Sequence, residues 1–203
     1  AKDKGVKNNP FHFIFFDTET KQKTEYKKIG RKTYKTIVNT IKMGWAVYWN
    51  RETNEEEWYF FTEYLSFHTW LTKILNQTKK QMVWIIAHNI VFDSFITNLT
   101  GYFKNKNYET EFIHSKGMVF IHHYKKYENY NDKNGEKKKK CIKQVLLVNN
   151  GNIFPSKLET IGKIVGLEKL DIDFEEDSFE YMKIYCKRDV EILLEFWRQW
   201  TKF

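Results

Sequence analysis

The chain has 203 residues, 41% of them apolar and 18% aromatic, enough for one large domain with a proper core. Lys and Arg number 34 against 26 Asp and Glu, a formal charge of +8. That balance favours a polyanionic partner, of which nucleic acid is the commonest, although it equally serves plain solubility. No run of about 18 apolar residues exists, so no membrane-spanning helix and no membrane partner is expected. The two cysteines, Cys141 and Cys186, show neither zinc nor disulfide spacing, which makes a reducing compartment the expectation. The N-terminal AKDKGVKNNP lacks a signal core and reads as an exposed segment over 1–10, ahead of a domain over 11–203. The chain starts with Ala, so processing, or excision from a longer protein, is expected.

FHFIFF at 11–16 is a nearly continuous apolar run and reads as a buried central strand. The Lys-, Thr- and Tyr-rich stretch 21–36 reads as an exposed excursion. Residues 37–49 and 57–61 are β-branched and aromatic and read as strands. A helical pattern starts at Thr62 or Glu63, with Leu65, Trp70, Leu71, Ile74 and Leu75 on one side. MVWIIA at 82–87 reads as a second buried strand, followed by a helix over 92–103. Residues 109–127 and 141–148 read as two strands joined by a polar hairpin tip, in which the Lys run 137–140 suits solvent better than a partner. FPSKLETIGKIVGL reads as a helix with Pro155 near its start and Ser156 as its cap. A last helix runs from Asp177 or Ser178 to Trp200, offering Tyr181, Ile184, Ile192 and Leu193 to the core. Strands early, helices late and βα alternation between them predict an α/β fold, a mixed sheet flanked by helices.

Three acidic patterns stand on these elements. Asp17 and Glu19 follow the first strand and, at period two, share a face. Two adjacent carboxylates beside a core repel each other unless a cation holds them, and a hard dication such as Mg²⁺ suits oxygen ligands. Asn89 and Asp93 lie in the strand-to-helix turn after MVWIIA, where an acid also gains from the helix dipole. Tyr185 and Asp189 lie four apart on the last helix and share a face. Each pattern alone has a structural explanation. The three together, in this order and on these elements, point to one metal site.

FFDTET, AHNIVFDSF and YCKRDVEIL resemble the three exonuclease motifs of the DEDD superfamily, in its Tyr-containing branch. The finer similarity is to the proofreading domain of protein-primed family-B DNA polymerases, which carries the N-x-x-F-D form. The resemblance implies a ribonuclease H-like fold and 3′→5′ phosphodiester hydrolysis with two divalent metal ions, Mg²⁺ or Mn²⁺. It implies Asp17, Glu19, Asp93 and Asp189 as metal ligands and Tyr185 as the residue that orients the attacking water. KLDI at 169–172 is similar to the family's lysine motif, with Lys169 as a catalytic residue. The implied partner is a single-stranded DNA 3′ end, contacted by Thr20, Asn89 and Phe92, with His88 beside them and Asn150 in VNNGN. A polymerase domain in the same or another chain is a further implied partner, since such a polymerase continues far beyond the third motif. The implied location is the cytoplasm, or the mitochondrial matrix for an organellar plasmid. Two other readings stay open: a ribonuclease D-like RNA trimmer, and an inactive nucleic-acid-binding or assembly module.

Overall fold

The computed structural model describes residues 10–79, 81–117 and 119–202. Of the expected N-terminal segment only Pro10 lies among them, and it is half-buried. Seven strands form one mixed sheet: β1 (His12–Ile29), β2 (Lys32–Asn50), β3 (Glu56–Phe61), β4 (Val83–Ala87), β5 (Tyr108–Lys116), β6 (Val119–Asn131) and β7 (Lys137–Asn149). Their spatial order is β3-β2-β1-β4-β7-β6-β5. The pairs β1/β4 and β4/β7 are parallel and the others antiparallel. Among the described residues five α-helices flank the sheet: α1 (Tyr64–Gln77), α2 (Ile90–Ile96), α3 (Leu99–Asn105), α4 (Leu158–Val165) and α5 (Phe179–Trp200). This is the ribonuclease H-like α/β architecture expected from the sequence.

Strand alternation sorts the core into two layers. Ile14, Phe16, Ala46 and Ile85 face α1 and α3, packing on Phe67, Leu71 and Phe103. Phe13, Phe15, Val47 and Ile86 face α5, packing on Val190, Leu193 and Trp197. Phe13 to Phe16 are all fully buried because both faces of β1 are covered. That is the physical content of the continuous apolar run. The same alternation carries Asp17 and Glu19 to the α5 side and Thr18 to the α2 side.

Several expected boundaries shift. The excursion 21–36 is no loose loop: β1 and β2 stay paired through Ile29 and Lys32 and turn at Gly30. The stretch 109–127 is a hairpin, β5 and β6, that turns at Gly117, where φ is +60°. The helix expected over 92–103 is two, α2 and α3, because Asn98 takes a left-handed conformation that Asn tolerates. Ser156 caps nothing; Lys157 is the N-cap of α4, without a side-chain bond. Ser178 does cap α5, accepting from the Tyr181 amide at 3.2 Å. Leu65 and Ile184 face solvent, and Phe67 and Met182 occupy the buried positions.

Candidate active site

The site lies at the C-terminal end of β4 and midway along β1, just past the segment where the two strands pair in parallel. Asp17 and Glu19 project from β1 on the face that α5 covers. α5 brings Tyr185, Cys186 and Asp189 to that face, four residues making about one turn. The Cys186 thiol donates to the carbonyl and to Oδ2 of Asp17, both at 3.6 Å. Ligand atoms of Asp17, Glu19 and Cys186 lie within 4.8 Å of one another. Gly44 of β2, paired with Thr18, leaves room for the Phe61 ring on the other face: a Cβ there would collide with that ring and come within 2.9 Å of the Asp17 carbonyl.

Asp93 enters from the first turn of α2. Asn89 caps that helix, its Oδ1 accepting from the Phe92 amide at 3.4 Å. The Thr18 hydroxyl donates to Asp93 Oδ1 at 2.6 Å and so ties the helix to β1. Asp189 pairs with Lys169 through Oδ2. Its Oδ1 is buried with no hydrogen-bond partner among the described residues. The Lys169 ammonium also lies 4.4 Å from the Tyr185 ring centroid, and Phe174 meets that ring edge-on.

Burial and mutual repulsion dominate the electrostatics. The Asp17 carboxyl is pushed well above the usual carboxylate range by burial, then by Asp93, Asp189 and Glu19. Burial, then Asp189, raises Glu19 to about 7. Burial also raises Asp93 to about 7, although the Thr18 hydrogen bonds oppose it. Asp189 is raised by burial against the pull of Lys169. Burial alone would lower Lys169, but the charge and hydrogen bond of Asp189, with help from Tyr185, raise it. The Cys186 thiol is pushed far up by burial and Asp17, so it remains protonated. Four carboxylates therefore meet with Lys169 as their main internal cation. Hard oxygen donors, one of them an orphaned buried oxygen, are of the kind that divalent cations take, and the Asp17–Glu19 pair brings two of them together.

A cleft of about 610 Å³ opens on this cluster. Asp17, Asp93, Asp189, Lys169, His88, Asn89 and Phe92 line it, with Lys157 and Lys163 of α4 on the far wall. His88 carries a buried Nδ1 without a hydrogen-bond partner among the described residues, and burial followed by Lys169 lowers its pKa. Glu19 and Thr20 line a second groove, of about 540 Å³, with Lys21, Gln22, Lys42 and Phe174. Asn150 belongs to neither. It is fully buried and accepts from Trp197 Nε1 at 2.9 Å, so it braces α5 from below, away from any solvent-borne ligand. Thr18, Cys186 and the α4 lysines escaped sequence reasoning. Thr18 and Cys186 each adjoin a motif residue, which is a signal only once the strand face and helix face are known.

No family model and no curated protein matches the chain. Solved structures do. Phi29 DNA polymerase complexed with primer-template DNA and incoming nucleotide substrates aligns over 96% of this chain, with a TM-score of 0.60 and 17% identity. The same polymerase complexed with single-stranded DNA aligns over 95%, with a TM-score of 0.58 and 16% identity. The chain spans 31% and 32% of those polymerase chains, so its fold is similar to that of about a third of a DNA polymerase.

Proposed function

We propose that this chain is a metal-dependent 3′→5′ exonuclease that trims single-stranded DNA ends and proofreads for a protein-primed family-B DNA polymerase. The convergence of Asp17, Asp93 and Asp189 from β1, α2 and α5 on one cleft, with Glu19 beside Asp17 in the adjoining groove, carries this reading. Divalent cations held there would supply positive charge to the scissile phosphate and acidify water.

The chain's own residues account for the rest. The cleft beside His88, Asn89 and Phe92 has an aromatic ring and polar groups for a terminal nucleotide. Phe92 offers its ring to a base, and Asn89 retains amide donors after capping α2. Lys157 and Lys163 draw the phosphate backbone toward the cleft. Lys169, held by Asp189 and lying against the Tyr185 ring, places a cation where charge develops on the phosphate. The Tyr185 hydroxyl orients the attacking water by hydrogen bonding.

The test is single-turnover digestion of matched 5′-labelled DNA and RNA strands with Mg²⁺. A ladder shortening from the 3′ end, faster on DNA, is expected. Equal or faster RNA cleavage replaces the DNA reading with RNA trimming, and no Mg²⁺-dependent cleavage of either leaves a binding module.

A further inference from the structure

The hairpin formed by β1 and β2 leaves the body of the protein immediately after Glu19. Its pairing runs unbroken from Lys21↔Thr40 to Ile29↔Lys32. At about 3.4 Å per residue it reaches roughly 30 Å beyond the acid pair. Residues 21–36 are exposed throughout. Between residues 20 and 41 stand Lys21, Lys23, Lys27, Lys28, Arg31, Lys32 and Lys35 against Glu25 alone. Seven minus one leaves +6 of the chain's +8 on this arm. Aromatic rings are set among these charges: Tyr26 is 70% exposed and Tyr34 49%. Such interleaving of cations and unpacked rings suits a polynucleotide single strand, whose phosphates meet the lysines and whose bases stack on the rings.

The arm is also connected to the site. The groove of about 540 Å³ at its base is lined by Glu19 of the acid cluster together with Lys21, Gln22 and Lys42. Lys21 stands beside Glu19 in that groove, just past the register shift between Glu19 and Thr20, and Lys23 follows it, paired with Glu25 at 3.1 Å. The chain's other lysine cluster has no such position. β7 begins at Lys137, well before Val145 comes level with Val83, the first residue of parallel β4. Lys137 to Lys140 therefore lie at the opposite end of the sheet from the site.

We propose that the β1–β2 arm is a second nucleic-acid-binding surface, one that grips the single strand upstream of the end held in the cleft. The proposal rests on the exonuclease reading for the polarity of the strand, but not for the binding itself. The arm lengthens the footprint: it contributes affinity for long strands and nothing for substrates too short to leave the cleft.

The test replaces Lys23, Lys27, Lys28 and Lys32 with Gln in one variant and Lys137, Lys138, Lys139 and Lys140 with Gln in another. Both lose the same charge. Binding of a fluorescent single strand of about 20 nucleotides and of a trinucleotide is measured in EDTA across a salt series. The arm variant is expected to bind the long strand at least about tenfold more weakly near 50 mM salt, with a salt slope shallower by about 3. Its trinucleotide binding stays at the wild-type level, and the second variant binds both strands nearly as wild type does. Equal losses in the two variants would assign the effect to net charge alone and overturn the proposal. So would an arm variant that binds the long strand normally, or one that loses long strand and trinucleotide alike. Binding is read without cleavage, so a catalytically silent wild type removes the exonuclease reading and leaves the arm's role standing or falling on its own. A further variant, with residues 22–38 replaced by a two-glycine turn, repeats the measurement with the arm absent.

Discussion

The Thr18 hydroxyl donates 2.6 Å to the Asp93 carboxylate, so the residue between the two β1 acids fixes the position of the acid on α2. The bond is buried at both ends. It gives the middle of D-T-E a role on the sheet face opposite Asp17 and Glu19.

Thr18→Val keeps the shape of this side chain and removes the donor. The expected cost is about 1–2 kcal/mol of stability, with a 10- to 100-fold loss in kcat, roughly what outer-shell partners of metal ligands contribute. Thr18→Ser should restore most of both. Thermal unfolding and steady-state trimming of a labelled strand measure the pair. A Val variant with wild-type kcat would show that Asp93 needs no such orientation.

The acid cluster strains the metal-free fold. Glu19 and Asp93 have native values near 7, above their ordinary 4.5 and 3.8. A carboxyl raised in the folded state destabilises fully above its native value, and the penalty fades as pH falls toward the unfolded one. At pH 8 without metal, Asp17→Asn should therefore raise the thermal midpoint by about 3 °C or more, with less gain at pH 5. The same variant should lose most of the stabilisation that Mg²⁺ gives the wild type. A lower midpoint at pH 8 would mean that the carboxylates are already compensated within the protein.

On the proposed reading Tyr185 acts through its hydroxyl, while its ring is occupied by Lys169 and Phe174. Tyr185→Phe keeps both ring contacts. It should lower kcat by about 10²-fold while leaving the affinity for single strands in EDTA unchanged. Loss of affinity with kcat intact would make Tyr185 a binding residue instead.

Away from the site, Lys143 is a buried cation whose ammonium donates to Thr78. Burial lowers its pKa from 10.5 to about 8. Between those values the unfolded chain holds more protons, so wild-type stability gains with rising pH. Lys143→Met should be more stable than wild type at pH 7, and the difference should shrink as the pH nears 10. Thr78 keeps its bond to the Ile74 carbonyl at 3.0 Å in either case. Melting curves across that pH range check the sign.

How much was legible in the sequence depended on whether burial marked it. FHFIFF and MVWIIA announced central strands because both of their faces are covered, and the acids follow directly from strand ends and helix faces. The β1–β2 arm was read as an excursion because it buries nothing. Its Thr and Lys residues carry no apolar alternation, and cross-strand pairing alone defines it. The β5–β6 turn hid behind a single Gly117, and the α2–α3 break behind Asn98, whose left-handed backbone no periodicity reveals. Asn150 was expected at the DNA through the family resemblance alone, yet its side chain is buried and accepts from a tryptophan. A polar residue after a strand has two environments available, and only packing decides between them.

Asp17 and Glu19 are the heart of the proposed metal-dependent nuclease. The most direct measurement is Mg²⁺-dependent shortening of a 5′-labelled single strand by the double variant Asp17→Ala with Glu19→Ala, with circular dichroism confirming its fold. The expected result is loss of trimming by at least about 10³-fold with the fold retained. Trimming near the wild-type rate by a folded double variant would place the chemistry elsewhere and contradict the account.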